Sequence, residues 1–216
     1  MSTTFLAILF ATGVMVVAVA AYVAARSRML HWGATNLEAQ RPMRGDGLIA
    51  DPILVTTRAI DINAEAERVW PWLAQIGQGR GGFYSYEWLE NFAGLDIHNA
   101  DRIIPEMQEL KPGDLIPFWR GAGVNVESVE APRLLVLAGT LNQPRGATTA
   151  AASVGGTWVF TLEDAGPRGT RLVVRSRVAK FEPKWLSVLF MRLLEPMHLV
   201  MECKMLKGIR DRAEQH

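Results

Sequence analysis

Residues 64–102 read AEAERVWPWLAQIGQGRGGFYSYEWLENFAGLDIHNADR. Val69, Trp70, Leu73 and Ile76 recur at helical spacing, so the stretch opens as an amphipathic helix. Asn63 supplies an N-cap, and Glu65 and Glu67 suit the positive end. Pro71 inside the pattern predicts a kink or a late start, and Gly77 ends the helix. After a Gly-rich turn, polar side chains are interleaved with aromatics, and a second short helix is predicted over Tyr84 to Phe92. A surface loop does not need so many large aromatics, and a plain core does not want so many polar tips. The mixture fits the rim of an apolar cavity with a few placed polar groups.

Outward from this stretch, Ile53 to Ile62 reads as a strand with Thr56, Arg58, Ile60 and Ile62 on one face. Leu115–Phe118, Val124–Val129 and Leu134–Ala138 read as short strands, separated by Pro- and Gly-containing turns. Thr157–Leu162 and Thr170–Val178 form the clearest hairpin. In its second strand Arg171, Arg175 and Arg177 alternate with apolar positions, which predicts a solvated arginine face. Residues 139–156, rich in Ala, Thr, Gly and Ser, are expected to form a mobile loop. The chain closes on a long helix opened by Glu182-Pro183. Leu186, Leu189, Phe190, Leu193, Met197, Val200, Met201, Met205 and Ile209 make one continuous apolar stripe along it, and Pro196 should bend it.

Phe5 to Ala25 carries no charge, and about 30 Å of helix is enough to cross a bilayer core. The run is long for a signal peptide and lacks a basic n-region, although Ala18-Val19-Ala20 imitates a cleavage site. A retained single-pass anchor is the better reading. Arg26, Arg28, Arg41 and Arg44 all follow the span, so the positive-inside tendency puts the C-terminal side in the cytoplasm, at the cell membrane. The chain thus divides into an anchor over 1–28, a connector over 29–52 that wraps or spaces the domain, and a domain over 53–216.

With 23 Lys and Arg against 22 Asp and Glu, there is no bulk electrostatic case for nucleic acid. Cys203 is the only cysteine, which excludes an intramolecular disulfide and a CxxC metal site. His31, His98 and His198 are dispersed, without metal-ligand spacing. Gly77 to Gly82 matches GxGxxG, but a helix precedes it where the dinucleotide fold needs a strand. No cofactor and no metal are expected.

Strand, helices, antiparallel strands and a long terminal helix is the order of a helix-grip fold. The pieces HWGAT (31–35), VWPWLAQIGQGRGGFYSYEWLEN (69–91), DIHNADRI (96–103), LKPGD (110–114) and MECKMLKGIRDRAE (201–214) resemble the SRPBCC superfamily, the START-like proteins that include polyketide cyclase/dehydrase types, and within it a bacterial subgroup of unassigned activity. The resemblance implies an α+β fold, with an antiparallel curved sheet around the C-terminal helix and an apolar cavity between them. It implies a bound hydrophobic small molecule in many relatives and catalysis in some.

Candidate ligand-binding residues are Arg80, Tyr84, Tyr86, Trp88, His98, Trp158, Met197 and Met201. Arg80 either grips an anionic headgroup bidentately or pairs with Glu87, Glu90 or Asp101. Tyr84, Tyr86 and Trp88 either line a pocket or pack with satisfied polar tips. His98, Asp101 and Tyr84 are the catalytic candidates, since a His–Asp pair can orient an imidazole as a base. His198 and Glu202, at i and i+4, either face the cavity or pair on the helix surface. Three functions follow: membrane-anchored binding of a hydrophobic small molecule or lipid in an internal cavity; a cyclase, dehydratase or hydrolase using rim residues; or a protein-interaction module without a ligand.

Overall fold

The computed structural model describes residues 3–119, 122–139 and 155–215. The expected mobile loop falls, over 140–154, outside the described residues. Six strands form one antiparallel sheet in the order β1-β6-β5-β4-β3-β2. They are β1 Pro52–Ile62, β2 Leu115–Trp119, β3 Ala122–Glu130, β4 Leu134–Gly139, β5 Gly156–Asp164 and β6 Thr170–Ala179. The helices are α1 Thr3–Leu30, α2 Asn36–Gln40, α3 Ala66–Ala74, α4 Glu87–Phe92 and α5 Lys184–Gln215. This is an α+β helix-grip arrangement, with a long C-terminal helix laid on the sheet.

The predicted helices shift at their starts. α3 is capped at Glu65 rather than Asn63, and Pro71 lies inside it. The Asn63 N–H is instead taken by Glu214 at 2.8 Å, which ties the end of α5 to the β1–α3 turn. α4 begins at Glu87 because Tyr84 adopts a left-handed conformation, φ 56°, which no helix continues through.

The sheet buries both faces, and strand parity assigns the layers. On one face Ile60, Ile62, Leu135, Leu137, Phe160, Leu162, Leu172 and Val174 join α3 and the second half of α5 in the main core. On the other, Leu134, Val136 and Val159 pack under Met43 of the connector. The solvated arginine face is therefore corrected. Arg175 is buried, and Arg171 and Arg177 are half-buried. Arg171 binds Glu38 at 2.8 Å and the Gly33 carbonyl at 2.7 Å, and Arg177 donates to the Ile49 carbonyl. The Arg171 hydrogen bond holds the Glu38 carboxyl down at about 2. Polar alternation meant a covered face here, because the connector brings carbonyls and carboxylates to it. α2 is held for that task by a capping box between Thr35 and Glu38.

α5 is the second correction. Its second half sends Met205, Leu206, Ile209 and Ala213 into the core. Gly208 lets it approach closely, since a Cβ there would collide with the Tyr84 carbonyl. The stripe does not continue inward: Leu186, Leu189, Phe190, Leu193, Met197 and Val200 are exposed. This first half packs on α1 instead. Arg26 grips Glu195 with two hydrogen bonds of 2.7 and 2.8 Å, and Arg192 donates to the Tyr22 hydroxyl at 2.7 Å. Both partner numbers rise together, so α1 and α5 run parallel. The stretch Thr12–Leu30 of α1 is long and apolar enough to cross a membrane.

Candidate functional site

Where α1 ends, β1 and α5 meet over a buried polar network. Arg58 comes from the helix-facing side of β1 and Glu202 from α5; they are ion-paired with side chains 0% and 2% exposed. The Arg58 Nε donates to the Met29 carbonyl at 3.1 Å, which satisfies the C-terminal end of α1. Glu202 also accepts from the Trp158 indole at 3.0 Å and the Ser176 hydroxyl at 3.3 Å. His198, one turn earlier, places Nδ1 3.3 Å from Arg58 Nη1 and Nε2 3.7 Å from Glu202. A guanidinium only donates, so Nδ1 accepts and Nε2 carries the proton. Desolvation is the main cause that lowers the His198 pKa; Arg58 adds to it and Glu202 opposes it. The imidazole is thus neutral near pH 7, with its side chain 34% exposed.

An aromatic wall stands on this network. Trp158 packs against Phe160 at 4.7 Å and Phe118 at 5.6 Å between ring centroids, and Phe83 lies 4.9 Å from Phe118. Trp158 and Phe118 keep partial exposure. Met201 on α5 accepts from the Ser85 hydroxyl through its carbonyl at 3.0 Å. Two buried polar atoms nearby on β1, Arg58 Nη2 and Thr56 Oγ1, have no partner among the described residues. Such atoms call for an explanation. An open hollow of about 260 Å³ lies on the outer face of α5, lined by Trp32, Tyr86, Val200, Cys203, Lys204 and Lys207. Burial pushes the Cys203 thiol up to about 11, so it is no nucleophile at neutral pH.

The residues singled out from sequence part company here. Trp158 reaches the network, Met201 instead bonds Ser85, and Met197 lies one turn earlier on α5 on exposed surface. Tyr86 lines the outer hollow, with Lys204 over its ring at 5.8 Å. Trp88 projects into solvent. Among the described residues Arg80 pairs with no carboxylate: it donates to the carbonyls of Ala74, Ile76 and Met107 at 2.8–3.1 Å, closing the end of α3. Tyr84 is buried, with its hydroxyl on the Trp72 carbonyl at 3.0 Å. The His98 side chain is 78% exposed and meets Asp96 at 3.3 Å, not Asp101. Arg80, Tyr84, His98 and Asp101 therefore do not converge on one void. The aromatic-rich stretch builds a scaffold, in which buried Gln75, exposed Asn91 and half-buried Asn99 bond the loop backbone.

Glu90 on α4 is 5% exposed, and its Oε2 has no partner among the described residues. Burial, helped by the charge of Glu87, raises its carboxyl to about 7. Between the unfolded value near 4.5 and about 7, the folded state holds a proton that the unfolded chain has lost. Stability from this group is full below the lower value and is lost as pH rises through the upper one. Glu90→Gln should remove that slope, raising stability at pH 8 by on the order of 1–3 kcal/mol. Urea unfolding at pH 5 and pH 8 checks it; equal slopes in both proteins would place Glu90 in water.

No protein-family model matches the chain, and no curated protein matches it. Solved structures do. NE0264 from Nitrosomonas europaea aligns over 81% of this chain and 99% of its own, at 14% identity and a TM-score of 0.44. The Aha1 dimer structure from Colwellia psychrerythraea aligns over 74% and 96%, at 15% and 0.40. CalU16 from Micromonospora echinospora aligns over 74% and 84%, at 13% and 0.34.

Proposed function

We propose that this chain is a membrane-anchored helix-grip protein of SRPBCC type that binds a hydrophobic small molecule or lipid between its sheet and α5. One observation carries the reading: a partly exposed aromatic wall ends on a buried charge network with two polar atoms, Arg58 Nη2 and Thr56 Oγ1, that are unmet among the described residues. An apolar surface with few fixed polar groups suits an apolar body with one oxygen-bearing end. The anchor is α1, crossing the bilayer with the domain on the cytoplasmic side. It supports the reading because Arg58 links the last turn of α1 to the network through the Met29 carbonyl. The ligand then has a membrane source beside its site.

Native mass spectrometry and lipid extraction of the full chain, purified in mild detergent, test this. An apolar species should co-purify, and Trp158→Ala, checked for folding by circular dichroism, should lose it several-fold. Absence of any co-purifying species, together with no uptake of a fluorescent fatty acid by the folded protein, sinks the reading.

A further inference from the structure

The first half of α5 has apolar surface that none of the described residues covers. Trp185, Val188, Leu189, Phe190, Leu193 and Met197 expose between 45% and 70% of their surface. At 100° per residue they sweep about 200° of the helix circumference. That is far wider than the stripe of a surface helix, and a helix apolar over so much of its girth belongs in a core or a bilayer. The buried seam, with Ser187 and Glu195 fully packed, is the remainder.

The position of α1 decides between those environments. The Tyr22–Arg192 and Arg26–Glu195 pairs stand at successive levels of two parallel helices. Beyond them, towards both N-termini, α1 carries no charge from Thr3 to Ala21. That run is about 28 Å long, close to a bilayer core of about 30 Å. Over the same levels α5 extends from Met191 back to Lys184, roughly 12 Å. Helices in contact lie about 10 Å apart, so lipid that surrounds α1 at these levels reaches the exposed face of the α5 tip as well.

We infer that α5 is a second membrane element: its first two turns dip into the near leaflet alongside α1. Tyr22, Arg26, Arg192 and Glu195 mark the leaflet boundary, where long cations keep their heads in the polar layer. Glu182 and Lys184 stop the tip short of the midplane, where charge is most costly. The gripping helix thus runs from the bilayer directly into the Arg58–Glu202 network. The inference rests on α1 crossing the membrane.

The full chain in a Cys203→Ser background, carrying Val17→Cys, Leu189→Cys or Phe92→Cys, is labelled with an environment-sensitive fluorophore and reconstituted into phosphatidylcholine vesicles. Nitroxide-bearing lipids should quench the labels at 17 and 189 to similar extents, and the label at exposed Phe92 on α4 several-fold less. Quenching at 17 without quenching at 189 overturns the inference and leaves the anchor standing. No quenching at 17 removes the anchor and the inference together. A disulfide-linked dimer through Leu189→Cys in vesicles, with 189 shielded from the nitroxides, assigns the surface to a second copy and also overturns it.

Discussion

Glu202→Ala is expected to destabilise the protein by about 3–5 kcal/mol, the cost of leaving a buried partner charge alone. Arg58 cannot escape by losing its proton, since a guanidinium stays charged in proteins. It is fully buried, so water cannot take the place of the carboxylate without opening the seam between β1 and α5. The same substitution strips the Trp158 indole and the Ser176 hydroxyl of their acceptor. For a chain of this size the melting temperature should fall by on the order of 10 °C. The double variant Arg58→Met/Glu202→Leu should recover most of the loss, because apolar replacement of a whole buried pair is often neutral. Thermal unfolding of the full chain in detergent reads both. A Glu202→Ala loss below about 1 kcal/mol would be that of a surface pair and would refute the buried network.

That network was half legible in the sequence. Arg58 stood on the same strand face as Ile60 and Ile62, and a lone arginine in an apolar register demands a carboxylate. Glu202 stood on the apolar stripe of the last helix, four residues after His198. Neither signal names the other, since 144 positions separate them, and Trp158 joins them from a third element. The strands, the helix order and the membrane-length helix were readable because periodicity is local. The aromatic-rich stretch misled for a physical reason. Arg80, Tyr84 and Asn99 look like ligand groups, but each spends its polar atoms on backbone carbonyls or N–H groups of an irregular loop, and buried backbone must be paired. Composition cannot distinguish a polar tip that faces a ligand from one that faces a carbonyl. The long apolar stripe on α5 carried a similar ambiguity: period reveals that a face is apolar, not whether protein or lipid will cover it.

Arg175→Ala is expected to release the connector. All five N–H groups of Arg175 are used: Nε on Thr57 Oγ1, Nη1 on Asp46 and the Arg41 carbonyl, and Nη2 on the carbonyls of Glu38 and Ala39, at 2.7–3.0 Å. Four of those acceptors belong to the connector, so one side chain fastens residues 38–46 to the sheet. Alanine leaves a carboxylate and three carbonyls without that donor over an apolar patch of Leu134, Val136 and Val159. The freed acceptors can rehydrate only if the connector lifts away. The cost then appears as local opening rather than global unfolding. Hydrogen bonds to charged groups contribute about 1.5–3 kcal/mol each, though not additively. A net loss of about 3 kcal/mol, on the order of a hundredfold in the opening equilibrium, is a restrained expectation. Arg175→Lys should fall between, since an ammonium keeps the charge but has three donors and no planar fork. Hydrogen exchange of residues 36–50 measures this directly: uptake should accelerate strongly in the alanine variant while strands β4 and β5 hold their protection longer. Wild-type exchange rates over 36–50 in Arg175→Ala would mean that the connector is held by something else, and that the arginine face has no fastening role.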